Sequence, residues 1–105
     1  MAIVTASDAD FHQLISNDFV IVDFYSTTCV PCKLFSRILE DIEAEIPFVN
    51  IVKVCINDCP EVARQKQISA VPTIHFYRDG QLLETHLGVL NAQQVKQKIA
   101  EYLYA

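Results

Sequence analysis

The sequence predicts an α/β fold, with a central mixed sheet of five strands, parallel at its core and closed by an antiparallel hairpin, flanked by four helices. Three observations predict it. The run FVIVDFY from Phe19 to Tyr25 is β-branched and aromatic, as suits a strand buried on both faces. Soon afterwards the apolar period changes, and Phe35, Ile38, Leu39, Ile42 and Ile46 recur at helical spacing. Further on, Asp79-Gly80 separates two apolar runs, the signature of a tight hairpin. Strands alternating with helices imply parallel pairing through crossovers, and the hairpin supplies the antiparallel edge.

In chain order, Ile3-Val4 reads as an edge strand, and Ser7 with Asp10 as a capping pair before the apolar stripe Phe11, Leu14 and Ile15. Asn17-Asp18 ends that stripe. The buried strand and the long helix follow, the helix closing at Ile46-Pro47. Phe48 to Ile56 is a further apolar strand, broken by Lys53 and ended by Asn57-Asp58. Pro60 fits the first turn of a short helix through Gln67, with Asp58 or Cys59 as its cap. Val71-Pro72-Thr73 leads into the strand Ile74–Tyr77, and Leu82–Leu87 forms the second arm of the hairpin before Gly88 breaks it. Asn91 caps a last helix whose core face is Val95, Ile99, Tyr102 and Leu103.

Composition narrows the function. With 105 residues, 51% hydrophobic and 20% charged, residues 1–105 read as one domain with a single core. Eight basic against 13 acidic residues give a net charge of −5 without a basic cluster, which argues against nucleic acid as a partner. No apolar run approaches the roughly 20 residues that span a bilayer, so no membrane association is expected. The start of the chain lacks a charged segment followed by an apolar one, the mark of a secretory signal, so a cytoplasmic location is expected.

The chemistry lies where strand gives way to helix. Cys29 and Cys32 are separated by Val30 and Pro31, and two intervening residues bring the sulfurs within bonding reach across one turn. A helix start leaves backbone N–H groups unpaired and carries partial positive charge, which favours the reactive thiolate. Cys29 is therefore expected to attack, and Cys32 to resolve the mixed disulfide. Pro31 suits the first helical turn because its missing N–H has no partner to lose. Asp23, inside the apolar strand, is expected to have its pKa raised by desolvation and to act as a base toward Cys32. Zinc on Cys29, Cys32, Cys55 and Cys59 is the competing reading, since the spacings approximate a zinc pattern. Cys55 lies in an apolar strand without the polar turns of zinc knuckles, so no metal is expected. Cys55 reads as a small core residue and Cys59 as a more exposed, possible regulatory thiol. His12, His75 and His86 show no partner pattern.

VDFYSTTCVPCK, then VPT roughly forty residues later, then DG and an isolated glycine, resemble the thioredoxin family over essentially the whole chain. The resemblance implies a thioredoxin fold and protein-disulfide reduction, with no bound cofactor. It also implies a monomer that is recycled by a thioredoxin reductase and acts on disulfide-containing client proteins. It places Lys53 as the counter-charge facing Asp23 and Pro72 in a cis-proline loop beside the cysteines. The backbone of Val71 would pair there with client main chain, and Pro31 would tune the redox poise. Tyr25, Val30, Gly88 and Val89 would line the client groove. Four positions depart from the usual pattern: Thr28 and Tyr25 stand where tryptophan is common, Val30 replaces glycine in WCGPC, and Asn57 replaces an aspartate. A rival reading is a thioredoxin-fold sensor whose partner binding follows cysteine oxidation; a glutaredoxin-like activity finds no glutathione-binding pattern.

Overall fold

The central strand β2 (Phe19–Tyr25) is buried at every position but the last, and its alternating side chains feed two cores, one on each face of the sheet, in place of the single core that the chain length suggests. The structure is a computed structural model and describes residues 3–16 and 18–103; Asn17, expected with Asp18 to end the first helix, lies outside the described residues. The other elements are β1 (Ile3–Thr5), α1 (Phe11–Leu14), α2 (Val30–Glu45), β3 (Asn50–Cys55), α3 (Pro60–Gln65), β4 (Thr73–Arg78), β5 (Gln81–Leu87) and α4 (Ala92–Leu103). The sheet order is β1-β3-β2-β4-β5. β3 pairs in parallel with both β1 and β2, while β4 runs antiparallel to β2 and β5, so the expected parallel core with a hairpin edge is what forms.

Strand parity divides the interior. Phe19 and Ile21 of β2, Ile51 of β3, and Ile74 and Phe76 of β4 pack with Phe35, Leu39 and Ile42 of α2 and with Val95 and Ile99 of α4. Val20, Val22 and Phe24 point the other way, toward Phe11 of α1, Val62 of α3, and Val52, Val54 and Tyr77. Asp23 shares the parity of Phe19 and Ile21 and so belongs to the face that α2 covers.

Helix ends follow local chemistry. Ser7 and Asp10 bond reciprocally, Ser7 N–H to Asp10 Oδ1 at 2.7 Å and Asp10 N–H to Ser7 Oγ at 3.3 Å, one turn ahead of α1. Asn91 and Gln94 form the same kind of box at α4, with Gln94 N–H donating to Asn91 Oδ1 at 2.8 Å and Asn91 N–H to Gln94 Oε1 at 3.0 Å. For α3 the expected cap is corrected. Cys59 does hold the N-cap position, but neither its side chain nor that of Asp58 bonds the helix start; Asp8 reaches across from the β1–α1 segment, and its carboxylate accepts from Val62 N–H at 2.9 Å and from Glu61 N–H at 3.4 Å. α3 also ends at Gln65 rather than Gln67, whose φ of 57° leaves the helical region. β3 starts at Asn50, after an exposed Phe48. The expected exposure of Cys59 is likewise overturned: the side chain is fully buried and its thiol donates to the Ala6 carbonyl at 3.4 Å.

Candidate active site

The two cysteines sit at the amino end of α2, and they are bonded: Cys29 Sγ and Cys32 Sγ lie 2.17 Å apart, with Cα atoms at 5.2 Å. Cys29 is the N-cap of α2, in extended conformation, and its sulfur accepts the Cys32 N–H at 3.1 Å. The cap therefore points an otherwise orphaned amide at sulfur, an arrangement that stabilises negative charge there. Val30 and Pro31 occupy the first turn, where proline loses no hydrogen bond. Exposure differs between the two sulfur-bearing residues. Cys29 is partly exposed, whereas Cys32 keeps only 2% of its surface.

Behind the disulfide lies a cavity of about 150 Å³ lined by Tyr25, Ser26, Thr27, Cys32, Lys33, Ser36 and Lys53. Asp23 and Lys53 are directly paired positions on β2 and β3. The Asp23 carboxyl is completely buried with neither oxygen hydrogen-bonded, and this desolvation pushes its pKa up to about 7 against a smaller opposing pull from Lys53. The Lys53 ammonium donates to Ser36 Oγ and lies 4.8 Å from the centre of the Tyr25 ring. Sequence reasoning missed Ser36. Its signal was spacing, because a polar residue four positions after Cys32 falls on the same helix face.

The loop between β2 and α2 is pinned from the turn after β3: Asn57 Oδ1 accepts from Thr27 N–H at 3.1 Å and from the Thr27 hydroxyl at 3.4 Å. On the other side, the Val71–Pro72 bond is cis, and Gly88 N–H donates to the Pro72 carbonyl at 2.8 Å. That bond draws Gly88 and Val89 to the loop that carries Val71. Gly88 has a φ of 95°, a conformation that favours glycine, and open space where a Cβ would stand. Val30 is 74% exposed beside Cys29, and Leu34, one turn on, is 57% exposed, so apolar surface flanks the disulfide.

Cys59 is not part of this constellation. It packs with the core on the opposite face of the sheet, whereas Cys55 shares the parity of Ile51 and Lys53. Both thiols are free, and burial, followed by the Asp8 carboxylate, pushes the Cys59 thiol up. Among the described residues no three His, Cys, Asp or Glu side chains cluster as a metal site, and no helix is long and apolar enough to cross a membrane.

Comparison with known proteins agrees with this geometry. The Thioredoxin family model matches residues 2–101. A thioredoxin of Chlamydia trachomatis is 32% identical over 96 residues, 91% of this chain and 94% of the relative. One of Staphylococcus aureus is 33% identical over 104 residues, 98% and 96% of the two chains. The crystal structure of Chlamydomonas reinhardtii thioredoxin f2 superposes with a TM-score of 0.85 at 28% identity, covering 95% of each chain. A bonded C-x-x-C pair at a helix start, on this sheet order and in a chain so matched, makes the protein a member of the thioredoxin family, a protein-disulfide oxidoreductase working by dithiol–disulfide exchange.

Proposed function

We propose that Cys29 is the nucleophile, Cys32 the resolving thiol and Asp23 the proton acceptor in reduction of disulfide-containing client proteins. The observation that carries this assignment is the contrast in exposure between the two cysteines: a client sulfur can reach Cys29, while Cys32 is shielded. In the reduced protein the Cys29 thiolate attacks one client sulfur, the client S–S bond breaks, and the second client sulfur leaves as a thiolate. Cys32 then gives its proton to Asp23 and attacks Cys29 Sγ, releasing the first client sulfur and forming the Cys29–Cys32 bond. The client gains two electrons, and its two thiolates take up two protons, one passed on from Asp23 and one from solvent. Asp23 suits the step because an acceptor with a pKa near the working pH is the most efficient general base.

Lys53 supplies a counter-charge when Asp23 ionises. Pro31 and Pro72 support the site, and Tyr25, Val30, Val71, Gly88 and Val89 form the rim on which client main chain and side chains dock, with Val71 offering strand-like backbone pairing. A thioredoxin reductase returns the pair to the dithiol state. The chain acts as a monomeric domain, residues 1–105, in a reducing compartment such as the cytoplasm, a reading supported by the two free cysteines beside the active pair. An insulin-reduction assay with dithiothreitol tests the assignment. Wild type accelerates reduction and Cys29→Ser does not; equal rates for the two would refute it.

A further inference from the structure

We infer that Ser36 is a positioning residue for the exchange site: its hydroxyl anchors the Lys53 ammonium against the Tyr25 ring and withholds it from direct pairing with Asp23. The inference rests on the reading of Asp23 as proton acceptor. Three facts of geometry carry it. Lys53 stands opposite Asp23 on the adjacent strand, the place from which a lysine normally reaches a carboxylate. Both Asp23 oxygens nevertheless have no hydrogen-bond partner. The ammonium instead meets Ser36 Oγ on α2 and the face of Tyr25, at the wall of the cavity that also reaches Cys32.

A buried carboxylate and an ammonium within reach gain strongly from contact, because little water screens them. Holding them apart keeps the acid able to change its protonation state, whereas a closed ion pair would fix it as an anion and a poor base. The charged and titratable groups on this face are few. Lys53 and the free Cys55 thiol come from β3, Tyr25 from β2, and Cys32 and Lys33 from α2; β4 presents Ile74 opposite Asp23, and α4 presents the apolar Val95 and Ile99. His75 packs with Phe24 and Tyr77 on the other side of the sheet.

The test is a carbon-detected NMR titration of the Asp23 side-chain carboxyl in the oxidised protein, for wild type, Ser36→Ala and Ser36→Thr. Alanine is the most favourable helix residue, so the first variant folds. With the anchor gone, Lys53 turns to Asp23, and the Asp23 midpoint falls by about one pH unit. Threonine keeps the hydroxyl and leaves the midpoint at the wild-type value. A midpoint in Ser36→Ala that is unchanged or raised overturns the inference, as does a Ser36→Thr midpoint displaced as far as that of alanine. Turnover of Asp23→Asn separates the two readings. If that variant is slowed while Ser36→Ala shows no displacement, the positioning role fails and the base role stands. If the displacement appears while Asp23→Asn works at full rate, Ser36 positions Lys53 and the base role fails.

Discussion

Asp23 and Lys53 are paired positions on neighbouring strands, yet the ammonium bonds to Ser36 and the carboxyl is buried without a hydrogen-bond partner. An acid in that situation is unfavourable to the fold in its charged form. The chain thus carries a local destabilisation at the residue proposed as proton acceptor, as is common at functional sites.

Removing that charge should stabilise the protein. The Asp23 pKa rises from an ordinary 3.8 to about 7 in the fold. Below the lower value the acid is neutral in both states, and as pH climbs through the window the unfolded chain ionises first, so stability falls. The loss at pH 8 is on the order of 4 kcal/mol by linkage. Urea unfolding of oxidised Asp23→Asn should show a gain of a few kcal/mol at pH 8 and almost none at pH 4, together with slower insulin reduction. A gain that does not depend on pH would contradict the assignment of the charge.

A second buried group acts with the opposite sign. His75 Nδ1 and the Tyr77 hydroxyl share a hydrogen bond of 3.0 Å, and burial lowers the His75 pKa from 6.5 to about 4. Above pH 6.5 the ring is neutral in both states; as pH falls toward 4 the unfolded chain takes the proton first and stability is lost, on the order of 3 kcal/mol. Paired with Tyr77→Phe, His75→Phe should flatten this acid limb in unfolding experiments. His75→Phe alone should cost roughly 1–3 kcal/mol at pH 7 because it strands the Tyr77 hydroxyl.

The cap on α3 can be tested by truncation. Because Asp8 accepts from the Val62 and Glu61 amides, Asp8→Ala should lower stability by about 1 kcal/mol and speed amide exchange at Val62. Asp58→Ala should leave both nearly unchanged. A larger effect at Asp58 would return the cap to the place that sequence order suggests.

These residues mark how far the sequence could be read. Phe19–Tyr25, the helical stripe after Lys33 and Asp79-Gly80 announce themselves through local periodicity, and the sheet follows from their order. The Cys29–Cys32 pair is legible from its spacing at the change from strand to helix, and Asp23 from an acidic side chain inside an apolar strand. Asp8 was missed as the α3 cap because its partners are more than fifty positions away, beyond any local capping rule. Cys59 reads as exposed beside a helix-starting proline, and its burial depends on a cluster that Ala6, Phe11 and Val62 bring together from separate segments. The bond from Lys53 to Ser36 joins a strand to a helix, so its existence depends on packing that no local pattern encodes.

The central claim is that the amino end of α2 holds one sulfur ready as a thiolate and shields the other. Alkylation of the reduced protein with iodoacetamide across pH, with the modified residue identified by mass spectrometry, tests it most directly. Cys29 should react first, with a midpoint below the ordinary cysteine value of about 8.5. Modification of Cys32 first, or a Cys29 midpoint at or above that value, would contradict the account.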